Sequence, residues 1–130
     1  MSVRAEVLNI LERVFRQHGF ASLLLRKANI SKEEIGLASE IVYGTIRNKT
    51  LLEEQWRPFT KHVKPRVAAL LNMSVYQLLF LDSIPSYAVI FEAVELAGKS
   101  EKEFVNAVLR KVQKQGLKKP EGNTMEELAV

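Results

Sequence analysis

The stretch VAALLNMSVYQLLFL, residues 67–81, constrains the fold more than any other part of this sequence. Its apolar residues fall on most faces of a helix, and Pro65 fits the first turn of that helix. A helix that is apolar on most sides is normally the central helix of a bundle. Asn72, Ser74 and Gln77 interrupt the stretch, which is also too short to cross a bilayer. The sequence therefore predicts a helical bundle around residues 67–81 and no membrane partner.

The remainder of the chain carries helix signals and no convincing strand. Serine or threonine followed three residues later by Glu predicts helix starts at Ser31, Thr50 and Ser100. Pro58 is expected to end one helix near Arg57. Gly19, Gly98 and Gly116 are expected at helix ends. No alternating run is bounded by hairpin residues. We therefore predict an all-α fold, a compact bundle of about seven helices formed by residues 1–116.

Gly44 lies inside the helix that is predicted to follow Ser31. A glycine in a helix interior costs about 1 kcal/mol relative to alanine. Its presence there predicts that a neighbouring helix approaches closely. The apolar residues of this helix recur at helical spacing, and we expect its buried side to contain Ile35, Ala38, Ile41, Val42 and Ile46.

Residues 117–130 differ from the rest of the chain. LKKPEGN is polar and contains Pro120 and Gly122, which is typical of a linker. Thr124 and Glu127 then form the start of a helix that the sequence does not complete. We expect residues 117–130 to be a linker and the start of a following segment, and the chain to be the front part of a longer protein.

The residue content argues against catalysis within this chain. It contains no cysteine, which excludes disulfides, thiolate metal sites and thiol nucleophiles. His18 and His62 lack partner ligands at metal spacing, and Glu92 and Glu95 share a helix face without a third ligand. No phosphate-binding loop is present. We predict no catalytic residue, no metal ligand and no cofactor site here. Since no secretory signal is recognisable, a cytoplasmic location is expected.

Charge favours a polyanionic partner, although mildly. Nineteen Lys and Arg oppose fifteen Asp and Glu, which gives a net charge of +4. Residues 104–120 contain no acid, and Arg110, Lys111 and Lys114 fall within one arc of a helix. Lys61, Lys64 and Arg66 form a second cluster, and Arg47 and Lys49 a third group. The alternative interpretation is that these cations stabilise helix C-termini or keep the surface solvated.

Aromatic residues are not interleaved with these cations in a stacking array. Trp56, Tyr76, Tyr43 and Phe80 have the spacing of core residues and are expected to pack inside the bundle. Contacts with nucleic acid are therefore expected to be mostly with phosphate and shape rather than with splayed bases.

Three segments of the chain carry a family resemblance: ASEIVYGTIRN, MSVYQLLFLDSIPSYAVIFEAVELA and EFVNAVLRKV. In order and spacing they resemble the NusB family of all-helical RNA-binding domains. That family includes free-standing transcription antitermination factors, which bind RNA together with a ribosomal protein. It also includes domains at the front of S-adenosylmethionine-dependent methyltransferases that modify cytosine C5 in small-subunit ribosomal RNA. The segments GTIRNKTLLEE and LLLRKANISKEE and the ending EELAV are more similar to the methyltransferase type.

The resemblance implies an RNA-binding role for the first helix and for the start of the last helix. Arg4 and the segment KSEKEF, with Lys99 and Lys102, match those positions. Together with the cations noted above, the candidate RNA-binding residues are Arg4, Arg47, Lys49, Lys99, Lys102, Arg110, Lys111 and Lys114.

Three functional hypotheses follow. The chain is a non-catalytic domain that binds and orients ribosomal RNA for a methyltransferase, with S-adenosylmethionine bound in a C-terminal catalytic part that this sequence lacks. Alternatively, it is an antitermination factor whose partners are RNA and a ribosomal protein. In the third hypothesis it is a protein-interaction bundle, without an RNA role, that docks on its own methyltransferase domain.

Overall fold

The computed structural model describes residues 2–118, which form an all-α bundle. No strand occurs within this range. One 3-10 turn, Arg57–Phe59, follows the fourth helix directly, and a second, Lys99–Glu101, precedes the seventh helix. The predicted fold class is therefore confirmed, whereas the prediction for the following segment falls mainly on residues 119–130, outside the described range. The helices are α1 (Val3–Gln17), α2 (Ala21–Lys27), α3 (Ile35–Arg47), α4 (Lys49–Trp56), α5 (Pro65–Phe80), α6 (Ser86–Leu96) and α7 (Lys102–Gln115).

Helix α5 is the centre of the bundle, as its composition predicts. It contacts α1, α3, α4, α6 and α7, and residues 69–77 are all buried. Two of its buried polar side chains, Asn72 and Gln77, are paired with other helices. Trp56 Nε1 of α4 donates to Asn72 Oδ1 at 2.7 Å, and Arg4 Nε of α1 donates to Gln77 Oε1 at 2.7 Å. Because buried polar groups are costly when unpaired, these bonds fix α4 and α1 against the central helix.

Helices α3 and α5 approach each other closely at Gly44. A Cβ placed on Gly44 would lie 2.1 Å from Tyr76 Cζ. The Tyr76 hydroxyl donates to Glu40 Oε2 at 2.5 Å, and the Tyr76 ring stacks on Phe80. Burial, together with this bond to the Glu40 carboxylate, raises the pKa of Tyr76 to about 12. The close approach predicted from an interior glycine is confirmed.

Several predicted helix starts are wrong. The Ser31 hydroxyl bonds the Glu34 side chain at 3.2 Å, and α3 begins only at Ile35, which is exposed. Thr50 lies inside α4, because Asn48 alone separates α3 from α4. Ser100 lies in a 3-10 turn, and α7 has no side-chain cap. Capping residues therefore locate these helix starts to within a few residues but do not give the first residue of the helix.

Replacing Gly44 with alanine should destabilise the bundle. The added methyl group would overlap the Tyr76 ring, so the Gly44→Ala variant should lose about 1–3 kcal/mol of unfolding free energy in urea. Gly36→Ala, in the same helix, is the matched control. A Cβ there meets nothing within 4 Å, so this change should be neutral or stabilising by up to about 1 kcal/mol. Equal stability of the two variants would contradict the close packing of α3 on α5.

Candidate nucleic-acid interface

Two acid-free stretches of the chain pack against each other. Residues 55–81 and 104–118 contain no Asp or Glu. Helix α7 contacts both α4 and α5, and Lys111 Nζ lies 5.7 Å from the centroid of the Phe59 ring. Six exposed cations of this region are here called the basic face: Arg57, Lys61, Lys64, Lys111, Lys114 and Lys118.

The loop that follows α4 runs beside α7 and supplies half of the basic face. Phe59 lies below Lys111, and Lys64 Nζ is 4.0 Å from Glu101 Oε2 next to the start of α7. A hollow of about 340 Å³ separates the loop from α7 and is lined by His62, Lys64 and Phe104, among others. The cation clusters that are separate in the sequence are thus joined in space by this loop.

The end of α7 is fixed to α4 by a buried glutamine. The Lys118 backbone N–H donates to Gln55 Oε1 at 2.7 Å, and Gln55 Nε2 donates to the Lys118 carbonyl at 2.8 Å. Gln55 is fully buried, and its Nε2 also donates to the Leu51 carbonyl at 3.0 Å, so both amide N–H groups are paired. The bonds to Lys118 hold the segment after α7 beside the basic face.

The three predicted cations of α7 share one arc but have different neighbours. Arg110 Nε donates to Asn106 Oδ1 at 3.1 Å and lines a groove between α6 and α7. Lys111 lies on the side of α7 that faces Phe59. At 100° per residue, Lys114 falls between the two. All three side chains are exposed, so they can reach a polyanion.

Two other predicted residues are engaged within the fold. Arg4 is half-buried and its guanidinium joins α1 to Gln77 of α5. Lys102 Nζ donates to the Val94 carbonyl at 2.7 Å, which satisfies a terminal carbonyl of α6. Lys99 is exposed in the turn that precedes α7. The structure thus gives Arg4 and Lys102 packing roles of their own and places Lys99 beside Lys102.

Arg47 and Lys49 lie at the junction of α3 and α4, and Lys49 is partly neutralised. Lys49 Nζ is 3.1 Å from Glu53 Oε2, and Arg57 Nη2 is 3.3 Å from Glu53 Oε1. Asn72 Nδ2 also donates to Glu53 Oε2 at 3.1 Å. Burial alone would raise the pKa of the Glu53 carboxyl, but these hydrogen bonds and positive charges outweigh it and hold the pKa below its usual value.

The sequence analysis missed two exposed aromatic residues. Tyr87 and Phe91 lie one turn apart on α6 and are 78% and 65% exposed. They line a groove of about 680 Å³ between α6 and α7, together with Asn106 and Arg110. Their four-residue spacing, opposite the buried Val89 and Ala93, is the sequence signal that could have identified them.

The predictions for the other aromatic residues are only partly right. Trp56 and Tyr76 are buried as expected, whereas Tyr43 and Phe80 are exposed at 39% and 37%. Tyr43 lines a hollow beside α2, and Phe80 is the last residue of α5, where its ring stacks on Tyr76. Helical spacing alone does not show which of these positions a neighbour covers.

Residues 2–118 contain neither a metal-binding cluster nor a membrane-spanning helix. No group of three or more His, Asp and Glu side chains in this range could hold a metal ion. None of the helices described is long and apolar enough to span a membrane.

Comparison with known proteins identifies the family. Residues 1–114 match the model of the NusB family. The chain belongs to the NusB family. It is 40% identical over 127 residues to the probable ribosomal RNA small subunit methyltransferase B of Bacillus subtilis (strain 168), a match that covers 89% of this chain and 28% of the relative. The corresponding Synechocystis protein is 28% identical over 127 residues, again with 28% of its length covered.

Antitermination proteins of the family are also similar to this chain. The transcription antitermination protein NusB of Bacillus licheniformis is 35% identical over 91 residues, which cover 62% of this chain and 70% of that protein. The chain therefore spans about a quarter of the methyltransferases and most of the antitermination protein. The resemblance to the NusB family and to its methyltransferase-linked domains is confirmed.

Replacing Glu53 with glutamine should lower the unfolding free energy at neutral pH. The pKa of Glu53 is depressed in the folded state, so its stabilising effect is present above the ordinary value of 4.5 and is lost as the pH falls through the lower folded value. The difference between wild type and Glu53→Gln in urea unfolding should therefore shrink from neutral pH to about pH 3.

The neighbouring exposed Glu54 provides the control. Glu54→Gln removes the same charge without removing the bonds to Asn72, Lys49 and Arg57. Its stability should follow that of the wild type at each pH. If Glu54→Gln and Glu53→Gln destabilise equally, the network around Glu53 does not contribute as described.

Proposed function

We propose that this chain is a non-catalytic domain that binds and orients ribosomal RNA for an S-adenosylmethionine-dependent cytosine-C5 methyltransferase. The observation that carries the proposal is the match to the Bacillus subtilis methyltransferase, which is 40% identical and extends over 89% of this chain. The partners would be small-subunit ribosomal RNA and the methyltransferase domain of the same protein, in the cytoplasm.

The basic face supports an RNA-binding role. Its cations are exposed and come from two segments without acidic residues. Glu53 and Glu101 lie beside Arg57 and Lys64, so we assign the phosphate contacts mainly to Lys61, Lys111, Lys114 and Lys118. Phosphate contacts of this kind position a nucleic acid without reading its sequence. That property suits a domain whose task is to orient a substrate.

The chemistry of methyl transfer would lie outside this chain. Activation of cytosine C5 requires a strong nucleophile that attacks the pyrimidine ring, and this chain has no cysteine. We propose neither a nucleophile nor an S-adenosylmethionine site among its residues. The role left to the domain is to bind RNA and hold it in a productive orientation.

The second candidate function is transcription antitermination. It is favoured by the antitermination protein of Bacillus licheniformis, 70% of whose length is matched. In this case the chain would bind a leader RNA together with a ribosomal protein. The basic face would serve either function.

The reading frame after the codon for Val130 distinguishes the two candidates. If the methyltransferase proposal is correct, sequencing the source gene should reveal a methyltransferase domain in frame, with cysteine codons. The purified longer protein should then methylate small-subunit ribosomal RNA, whereas residues 1–130 alone should not. A stop codon directly after Val130 would contradict this proposal and favour the antitermination factor.

Neutralising the α7 part of the basic face should weaken RNA binding. In Lys111→Gln/Lys114→Gln, two phosphate contacts would be lost. The slope of log K against log salt should become shallower by about 1.4 for single-stranded RNA, measured by fluorescence anisotropy. The change should affect unrelated RNA sequences similarly, because phosphate contacts carry no sequence information.

A variant with the same net charge provides the control. Lys27 and Lys32 are exposed at the end of α2 and in the loop that follows, and neither belongs to the basic face. Lys27→Gln/Lys32→Gln should retain the wild-type salt slope. RNA binding that is equally affected by both pairs would indicate a general charge effect, and binding indifferent to salt would exclude the basic face as the RNA site.

A further inference from the structure

We propose that the groove between α6 and α7 holds an unpaired base of the bound RNA strand, stacked on Tyr87 and Phe91, with Arg110 contacting the adjoining phosphate. This inference rests on the proposed function, since it requires that the chain binds RNA. It goes further in naming single-stranded RNA as the ligand and in placing a base where the sequence analysis expected only phosphate contacts.

The two walls of the groove carry groups that suit a nucleobase. Tyr87 and Phe91 on α6 present two aromatic rings one turn apart. Asn106 and Arg110 on α7 form the facing wall, and Asn106 Oδ1 accepts a hydrogen bond from Arg110 Nε at 3.1 Å. Aromatic rings and guanidinium planes are the surfaces on which proteins stack the splayed bases of single-stranded RNA.

The exposure of the aromatic rings indicates that they serve a ligand rather than the core. Tyr87 and Phe91 are 78% and 65% exposed, although the same helix buries Val89, Ile90 and Ala93 against the bundle. Adjacent exposed aromatic rings with a concave surface beside them are typical of a binding site. The groove volume of about 680 Å³ lies within the range of small-ligand sites and can accommodate one nucleotide.

The position of Arg110 connects this groove to the basic face. Arg110 lies on the groove side of α7, Lys111 on the side of Phe59, and Lys114 between them. A strand whose phosphates follow Lys111 and Lys114 can therefore place a neighbouring base in the groove without leaving α7.

Charge within the groove limits where the phosphates can lie. Glu92 and Glu103 also line it, as does Lys102, which is bonded to the Val94 carbonyl next to the turn that joins the two helices. The acid-free part of α7 begins only after Glu103 and leads past Arg110 towards Lys114. We therefore place the phosphate beside Arg110 and the base between the aromatic rings and Asn106.

The experiment compares Tyr87→Ala/Phe91→Ala with the wild-type chain. Each protein is titrated onto single-stranded RNA that contains 2-aminopurine, and onto a duplex of the same length. The wild type should quench 2-aminopurine fluorescence by stacking. The double variant should lose this quenching and bind the single strand about 5- to 100-fold more weakly. Its affinity for the duplex and its salt slope should be unchanged, because the phosphate contacts remain.

Three further variants separate stacking from other effects. Phe20→Ala removes a ring that is 75% exposed and lies outside the groove, and it should bind RNA as the wild type does. Tyr87→Phe/Phe91→Tyr retains both rings and should retain the quenching. Tyr87→Ala alone should give an intermediate loss, which tests the inference even if the double variant folds poorly. The folding of each variant is checked by urea unfolding.

The results distinguish a failure of the proposed base site from a failure of RNA binding as a whole. If Lys111→Gln/Lys114→Gln weakens binding but Tyr87→Ala/Phe91→Ala leaves single-strand affinity and quenching intact, the base site is overturned and RNA binding stands. That result would leave the groove to a protein partner. Equal losses for Phe20→Ala and the double variant would also overturn it. If the wild type binds no RNA at low salt, the proposed function and this inference fail together.

Discussion

The bundle depends on the burial of α5, an apolar helix that nevertheless carries polar side chains in its most buried part. Asn72 and Gln77 would be costly there without partners, and their partners lie on other helices. Trp56 bonds Asn72 and thereby fixes the end of α4, whereas Arg4 bonds Gln77 and fixes the first turn of α1. These bonds specify how the surrounding helices are placed, which apolar contact alone does less precisely.

The same network extends from the core to the charged surface. Asn72 accepts from Trp56 and donates to Glu53, and Glu53 in turn pairs with Lys49 and Arg57. The orientation of α4 is thus coupled to the position of the loop that begins at Arg57. Because that loop lies beside α7, the hydrogen bonds of the core and the basic face belong to one connected set of contacts.

Sequence reasoning correctly predicts those parts of the fold for which the residues allow only one kind of packing. A helix that is apolar on most sides has to be central, and Gly44 inside α3 has to face a close neighbour, which is Tyr76. Helix starts are different, since Thr50 and Ser100 can occupy a capping position or a turn at little cost. Thr50 lies inside α4 because only Asn48 separates α3 from α4, and Ser100 lies in the 3-10 turn before α7.

The candidate site was only partly accessible from the sequence for a similar reason. The arc of Arg110, Lys111 and Lys114 follows from helical geometry, but the loop beside it comes from tertiary packing. Arg4 and Lys102 could not be recognised as structural cations, because their acceptors lie on other helices. Tyr87 and Phe91 lie in a stretch of the sequence, residues 67–98, that contains no Lys or Arg. Only the fold brings them next to Arg110, because the groove combines residues from α6 and α7.

A modest net charge is consistent with a domain that orients a substrate for another active site. Binding that is equally strong for the substrate and for the transition state lowers KM without raising kcat. A net charge of +4 provides limited attraction to RNA. Phosphate contacts with flexible lysines position the strand, and a stacked base would add a contact with a defined direction. A base held between Tyr87, Phe91 and Asn106, with its phosphate at Arg110, would fix the register of the strand at one nucleotide, so that weak overall binding could still present the RNA in one orientation.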